Sequence, residues 1–289
     1  MDNRFRGTGV ALVTPFDENN QVDFAALEKI LEYVIDGGVN YLVVGGTTGE
    51  PSTMSDVESL KVLKFVKKSS QGLPVVFGIG GNNTLNVVER YRTFEEEIDA
   101  FLATSPYYNK PSQSGIRKHY ELIADQAQRP VIMYNVPGRT ASNIEADTTL
   151  ALAKHPNILG TKEASGDIIQ CMEIAAGKPD DFHLISGDDA FTVPMISIGA
   201  SGLVSVVANA LPEMTSKMVD LALSSDFVKA REVAFDLMKP IELAFEEGSP
   251  VGVKYMMKQL GLCSDSVRLP LTLPSEQLQS KINVYLQSR

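Results

Sequence analysis

The sequence predicts an α/β protein: a (β/α)8 TIM barrel with a helical C-terminal extension. Three observations predict this fold. The chain contains eight short apolar runs, segments of helical character separate them, and its 289 residues suit one such barrel, which typically needs about 250. The runs are continuous in apolar character, as expected of parallel strands covered on both faces. They are Gly9–Val13, Tyr41–Val44, Val75–Ile79, Ala100–Ala103, Val131–Tyr134, Ile158–Thr161, His183–Ile185 and Gly202–Val206.

Eight repeats favour a closed barrel over an open doubly wound sheet, which stays the structural alternative. Three helices have clear local signals. Ser55, followed by Asp56, Val57 and Glu58, predicts an N-cap with a capping box. A partial apolar stripe before Pro130 predicts another helix through Leu122, Ile123 and Ala127. The first helix is predicted by apolar residues at i, i+3, i+4 and i+7, namely Leu27, Ile30, Leu31 and Val34.

The segment after the eighth run is longer than one barrel helix requires. Residues 212–260 have helical character almost throughout. We therefore divide the chain into a catalytic barrel, residues 1–222, and a C-terminal helical region, residues 223–289, that packs on the barrel.

Composition excludes several classes of function. The formal net charge of −10 argues against nucleic acid, whose affinity for proteins depends on Lys and Arg. No apolar run approaches the roughly 18 residues of a membrane span, and the first residues lack the apolar core of a signal peptide. The two cysteines, Cys171 and Cys263, indicate reduced thiols in a cytoplasmic protein.

No cofactor or metal is expected. Residues 78–83 begin like a dinucleotide-binding loop but lack its last glycine, and no P-loop is present. The three histidines, His119, His155 and His183, are far apart and are interpreted as ordinary polar or surface residues.

The candidate chemistry lies where strands end, because barrels of this kind carry their functional groups at the C-terminal ends of the strands. Lys162 ends the sixth apolar run. Desolvation there favours a free amine, which can attack a ketone. The alternative is a lysine that reaches solvent or pairs with Glu163.

The fifth and second runs end in residues suited to anionic substrates. Tyr134 could relay protons, and Arg139 could grip a carboxylate in a bidentate fork. Their alternatives are core packing and a surface ion pair. The glycine-rich loop that contains Thr47 and Thr48 could hold a carboxylate, or could simply be a capped turn. Two prolines bracket Tyr107 and Tyr108, so this loop marks an interface, a site or a plain turn.

Four motifs in this order, GTTGE, SPYYNKPSQSG, YNVPGRT and GTKEASGD, resemble the dihydrodipicolinate synthase family, within the larger group that includes N-acetylneuraminate lyase. The resemblance covers nearly the whole chain. It implies a lyase of the class I aldolase type that condenses pyruvate with L-aspartate-4-semialdehyde, giving 4-hydroxy-tetrahydrodipicolinate in the diaminopimelate route of lysine biosynthesis. A sibling aldolase that cleaves a sialic acid or another 2-keto-3-deoxy sugar acid is the alternative, and Arg139 favours the synthase.

The resemblance also implies roles for the catalytic residues. Lys162 would form the Schiff base with pyruvate, and Tyr134 would pass protons during imine formation. Thr47 would link Tyr134 to Tyr108 in a hydroxyl relay. In the family this tyrosine crosses from a neighbouring subunit, so Tyr108 implies a homo-oligomer. A tetramer built as a dimer of dimers is favoured, and a dimer stays open.

Four further residues would bind substrate. By the same resemblance, Thr48 would hold the pyruvate carboxylate and Arg139 the semialdehyde carboxylate. Gly187 and Val204 would line the pocket near the imine.

Two departures from the family pattern stand out. Residues 90–100 lack the glycine that usually precedes the fourth strand, so the helix before it should end without a glycine cap. Lysine-inhibited members carry two histidines and a glutamate where this chain has Asp56, Ser59 and Asn86. Feedback inhibition by lysine is therefore expected to be weak or absent, although Tyr107 and Asn82 remain.

Overall fold

The computed structural model describes residues 3–288 as a closed barrel of eight parallel strands in sequential order, with β8 paired to β1. This confirms the predicted barrel and excludes the open sheet. Each predicted run becomes a strand whose ends lie within two residues of the prediction. The strands are β1 (Gly7–Ala11), β2 (Tyr41–Val44), β3 (Val75–Gly78), β4 (Ala100–Thr104), β5 (Val131–Asn135), β6 (Ile158–Glu163), β7 (His183–Ser186) and β8 (Gly202–Ser205).

Helices follow the strands, and the segment predicted to be nearly all helix forms α9 to α11. The boundary proposed after residue 222 lies inside α9, one residue before its end, and stays a prediction. The helices are α1 (Phe24–Asp36), α2 (Asp56–Ser69), α3 (Thr84–Arg92), α4 (Gln113–Gln126), α5 (Pro137–Thr140), α6 (Ala146–Leu152), α7 (Ile168–Gly177), α8 (Thr192–Ser197), α9 (Pro212–Leu223), α10 (Phe227–Phe245), α11 (Val251–Gln259) and α12 (Glu276–Gln287).

The local sequence signals predicted the buried stripe of α1 and the start of α2 correctly, but not the stripe of α4. The predicted stripe of α1 is fully buried. At the start of α2, the Ser55 side chain accepts from the Glu58 backbone N–H while the Glu58 carboxylate accepts from the Ser55 N–H, so the capping box is confirmed. The prediction for Leu122 in α4 is wrong, because its side chain is half exposed. The buried stripe of that helix runs instead through Ile116, Tyr120 and Ile123, at spacings of four and three residues.

The end of α3 is capped without glycine, as expected. The Thr93 N–H and hydroxyl both donate to the carbonyl of Glu89, the hydroxyl at 2.8 Å. Gln128 Nε2 donates to the carbonyl of Arg92 at 2.8 Å. Side-chain donors thus satisfy carbonyls that a glycine cap satisfies elsewhere.

Two apolar cores hold the barrel. The larger lies between the strands and the helices, and the smaller fills the barrel lumen. Phe5 lies in the lumen core and packs edge-on against Tyr41, with ring centroids 5.8 Å apart. Phe5 comes just before β1, so it fills the N-terminal end of the lumen. The C-terminal opening, called the mouth below, carries the loops that contain the candidate residues.

Two of the three histidines are ordinary polar residues of the interior and not of the surface. His119 and His183 are buried, with ring nitrogens 2.9 Å from the hydroxyls of Thr84 and Ser201 respectively. Burial lowers the pKa of His119 to about 4. His155 lies nearer the surface, 3.1 Å from the Asp125 carboxylate. Between residues 3 and 288, no helix is both long enough and apolar enough to cross a membrane.

Candidate active site

Lys162 lies in the lumen, near the mouth. It occupies the second-to-last position of β6, in register with Tyr134 on β5 and Ile185 on β7. The side chain is 5% exposed, and its Nζ lies 4.2 Å from the centroid of the Tyr134 ring. The amine is therefore held against an aromatic face and largely removed from water.

Glu163 points away from Lys162, because successive side chains of a strand project to opposite faces. Its buried carboxylate accepts from Asn135 Nδ2 at 3.0 and 3.1 Å, from the Ser165 N–H at 2.8 Å and from Gln170 Nε2 at 3.2 Å. Burial raises the pKa of Glu163, and these hydrogen bonds oppose the rise. With neutral donors around this carboxylate, the structure does not support a Lys162–Glu163 ion pair.

Gly187 leaves space for the lysine stem. A Cβ atom built on Gly187 would lie 3.0 Å from both Cγ and Cε of Lys162 and 2.8 Å from Cβ of Ala164. Its own N–H donates to the carbonyl of Glu163 at 2.8 Å, which fixes the start of the loop after β7 beside β6. Val204 is buried in the lumen core together with Tyr134. The structure thus brings together Lys162, Tyr134, Gly187 and Val204.

A cavity of about 490 Å³ opens at the mouth. Thr47 and Arg139 line it, as does Tyr107. Leu102 and Val136 belong both to this lining and to the lumen core, so the cavity floor is continuous with the core that contains Tyr134. A cavity of this size can hold two small carboxylic acids.

Of the eight predicted site residues, only Thr47 and Arg139 line this cavity. The four residues grouped around Lys162 lie outside its lining, as do Thr48 and Tyr108. Thr48 is buried in the short 3₁₀ turn after β2, next to Thr47 but outside the cavity lining. Tyr108 is 86% exposed, with a left-handed backbone φ of 73°, whereas Tyr134 is buried. Within a single chain, the structure therefore does not bring Tyr108 to Tyr134.

Sequence reasoning missed Asp189, in the loop after β7. Its fully buried carboxylate accepts from the Ser205 hydroxyl and from the Val206 N–H at 3.0 Å. Burial raises the pKa of Asp189, and the hydrogen bonds and the Lys162 charge oppose the rise. The paired aspartates of the sequence Gly-Asp-Asp were the available signal, but nothing local showed which carboxylate turns inward.

Sequence reasoning also missed the partner of Glu50, the last residue of the GTTGE motif. This carboxylate forms a buried ion pair with Lys254 of α11. For the part of the chain that the structure describes, no group of three His, Cys, Asp or Glu side chains is arranged to hold a metal ion.

Comparison with known proteins shows the family of the chain. The model of the Dihydrodipicolinate synthetase family matches residues 4–289. Two similar proteins are named 4-hydroxy-tetrahydrodipicolinate synthase. The one from Flavobacterium psychrophilum is 49% identical over 284 residues, covering 97% of each chain. The one from Cytophaga hutchinsonii is 45% identical over 280 residues, covering 96% of this chain and 94% of that protein.

A solved structure has the same fold throughout. Dihydrodipicolinate synthase DapA-2 from Bacillus anthracis superposes with a TM-score of 0.94 at 36% identity, covering 99% of this chain and 98% of that one. The match extends over the barrel and the helical region that follows it. The chain belongs to the dihydrodipicolinate synthetase family.

Proposed function

We propose that the mouth of the barrel condenses pyruvate with L-aspartate-4-semialdehyde through an imine on Lys162, giving 4-hydroxy-tetrahydrodipicolinate. Family membership makes the chain a Schiff-base lyase of the class I aldolase type, acting in lysine biosynthesis by the diaminopimelate route. The observation that carries the site assignment is the Lys162 amine, buried in the lumen 4.2 Å from the Tyr134 ring.

The chemistry begins with the Lys162 amine attacking the keto carbon of pyruvate. Loss of water gives an iminium ion, which withdraws electrons and makes the methyl protons acidic. Removal of one proton gives an enamine, whose carbon attacks the aldehyde of the second substrate and restores an iminium ion on Lys162. The amino group of the semialdehyde would then add to the iminium carbon and close the ring, and the bond to Lys162 would break, which releases the product and the free amine. Tyr134 would move the protons, because its ring lies 4.2 Å from the amine and its strand partner Thr104 lines the cavity.

Further residues would bind the carboxylates of the two substrates and line the pocket. Thr48 and the turn around it would hold the pyruvate carboxylate. Thr47 would link the hydroxyl groups of Tyr134 and Tyr108 in a proton relay. Gly187 and Val204 would shape the pocket around the imine. Arg139 borders the cavity from the short helix α5 after β5, so it would hold the carboxylate of the semialdehyde.

Turnover assays test the activity. With pyruvate and the semialdehyde, the purified protein should form product, whereas sialic acid should not be cleaved. Cleavage of sialic acid without condensation would favour the sibling aldolase. Imine formation is tested separately by borohydride reduction in the presence of pyruvate, followed by mass spectrometry of the Lys162 peptide.

Replacing Arg139 by alanine should raise the KM for the semialdehyde by roughly ten-fold or more, because a charge-assisted carboxylate grip is lost. Imine formation with pyruvate should change little, since Arg139 acts on the second substrate. Steady-state kinetics and borohydride trapping measure the two effects. The matched control is Arg92→Ala, which removes an exposed arginine paired with Glu89 on α3. An equal loss of trapping in Arg139→Ala would contradict the assignment.

The exposed Tyr108 supports a homo-oligomer in which this ring enters the site of a neighbouring copy. Complementation tests this directly. In co-expressed, mixed dimers of Lys162→Ala and Tyr108→Phe chains, one of the two sites has both intact residues. Random pairing should then restore about a quarter of wild-type activity. The control mixture of Lys162→Ala with Tyr134→Phe should restore none, because these two residues act from the same chain. No recovery in the first mixture would exclude the crossing tyrosine.

A second exposed apolar face supports a tetramer. Helix α10 carries a solvent-exposed stripe whose positions are symmetric about its midpoint. In an antiparallel pair of copies, Val228 would therefore meet Phe245 of the second copy, and Phe235 would meet Met238. Arg231 would likewise meet Glu242, which has the opposite charge. The tetramer and the cytoplasmic location stay predictions.

Lysine should inhibit the enzyme weakly or not at all. The side chain of Asp56 is ion-paired with Arg90 at 2.9 Å, and both line the mouth cavity beside Ser59. Where lysine-inhibited members place imidazoles and a carboxylate, this chain has Asp56, Ser59 and Asn86, so the polar contacts for an amino acid differ. Purified-enzyme assays with lysine measure this. Inhibition below millimolar lysine would overturn the prediction.

A further inference from the structure

Glu50 has an unusual conformation for its position. It ends the 3₁₀ turn that contains Thr47 and Thr48, with φ 56° and ψ 40°, and its side chain is buried. A residue other than glycine rarely adopts this left-handed backbone, and such residues persist where their surroundings hold them. The conformation therefore indicates that contacts outside the turn fix Glu50.

Those contacts come from the far end of the chain. Lys254 Nζ donates to Glu50 Oε1 and, at 2.8 Å, to the carbonyl of Ser266. The backbone N–H of Arg268 donates to Glu50 Oε2 at 3.0 Å. The side chains of Lys254 and Glu50 are 0% and 1% exposed. Each charge is thus buried with a partner, and neither partner can be removed without leaving the other uncompensated.

Arg268 extends this contact to the segment that follows the turn. Its Nη1 donates to the carbonyl of Thr53 at 3.0 Å, and its Nη2 donates to Glu58 at 2.7 Å. The guanidinium carbon lies 4.2 Å from the centroid of the buried Phe16 ring, and Lys254 Nζ lies 4.4 Å from the same centroid. The two cations therefore anchor the segment after the turn to the loop after β1.

The turn connects Glu50 to the residues at the mouth. The Glu50 N–H donates to the carbonyl of Thr47 at 3.1 Å, and the Thr14 hydroxyl donates to the carbonyl of Gly49 at 2.7 Å. Only Thr48 and Gly49 separate Thr47 from Glu50. A displacement of Glu50 would consequently move Thr47, which lines the cavity, and Thr48.

We propose that Glu50, Lys254 and Arg268 are positioning residues that fix the Thr47–Thr48 turn for the pyruvate carboxylate. The C-terminal helical region thereby supports the first half of the reaction, at a distance from the reacting atoms. This inference rests on the proposed function of the mouth. It predicts that loss of the ion pair weakens pyruvate binding more than semialdehyde binding, because Arg139 lies on a separate element, the short helix α5 after β5.

The test compares Lys254→Met with Lys258→Met. Lys258 lies one turn further along α11, half exposed and paired with Asp265 at 3.0 Å. Lys254→Met should raise the pyruvate concentration needed for half-maximal borohydride trapping, and the KM for pyruvate, by about ten-fold or more. The KM for the semialdehyde should stay within about two-fold of wild type. Lys258→Met should leave all three values unchanged. If these residues served stability alone, Lys254→Met would lower the melting temperature without raising the KM for pyruvate more than the KM for the semialdehyde.

Glu50→Gln provides the second variant, since it keeps the shape of the side chain and removes its charge. The double variant Glu50→Gln/Lys254→Met has no unpaired buried charge and is measured if either single variant fails to fold. A selective loss of pyruvate affinity in these folded proteins supports the inference. If these folded variants need the same pyruvate concentration as the wild type, the inference is wrong. If the wild-type protein itself forms no imine, the proposed function fails, which is a different outcome.

Discussion

Replacing Lys162 by alanine should abolish the covalent adduct with pyruvate and lower kcat by roughly 10⁴-fold or more, because the change removes the amine that supplies the imine nitrogen. The amine is held in the lumen against the Tyr134 ring, while the neighbouring Glu163 is turned away and hydrogen-bonded elsewhere. Borohydride trapping with pyruvate, read by peptide mass spectrometry, and steady-state turnover measure the two losses. The wild-type peptide should gain the mass of a reduced pyruvate adduct, and the variant peptide should gain none.

Lys178→Ala is the matched control for this experiment. Lys178 is also partly buried, and burial lowers its pKa, which favours a free amine. Its Nζ donates to the carbonyl of Phe182 at 3.0 Å, just before β7 and therefore at the opposite end of the barrel from the mouth. If desolvation alone caused labelling, Lys178 would be labelled too. An adduct on Lys178, or one that persists in Lys162→Ala, would contradict the assignment of Lys162.

The sequence was sufficient for the barrel because the relevant signals are local. Each strand is a short apolar run, and the rule that places function at the C-terminal ends of strands selects Lys162, Tyr134 and the loop of Arg139 without any coordinates. The alternation of side chains along β6 then decides that Lys162 and Glu163 face opposite sides. Sequence left that question open, because the phase of a continuous apolar run cannot be determined from its pattern alone.

The contacts that support the site could not be predicted, since they join distant parts of the chain. Glu50 and Lys254 are separated by 204 residues, and a buried carboxylate in a glycine-rich loop has the same sequence signature as an exposed one. The hydrogen bonds from Asn135 and Gln170 to Glu163 could not be predicted either, because they depend on how β5 and α7 pack against β6. Leu122 was misassigned because the stripe of α4 is set by what the helix packs against.

Replacing Gly187 by alanine should slow imine formation by about 10²-fold, because the added methyl group must displace the lysine stem. A Cβ at this position would lie 3.0 Å from Cγ and Cε of Lys162 and 2.8 Å from Cβ of Ala164. The Ala164 contact is closer than real Cβ atoms approach, so the two loops must shift apart there. The two contacts with Lys162 are also tight, and its flexible stem can give way most easily. Nζ would then leave its position over the Tyr134 ring. The rate of adduct formation, followed by quenching with borohydride at successive times, measures the effect.

Two further variants separate this displacement from a general packing defect. Gly115→Ala adds the same methyl group in α4, where the nearest atom, Cβ of Pro111, would be at an ordinary 3.4 Å, so the rate should be unchanged. In Gly187→Ala/Ala164→Gly the contact with residue 164 is relieved but both contacts with Lys162 remain. Overpacking typically costs about 1–3 kcal/mol, and this double variant should recover much of that stability. It should not recover the rate of imine formation, because the lysine is still displaced. Recovery of both together would mean that Gly187 serves packing alone and that the position of the Lys162 stem is not limiting.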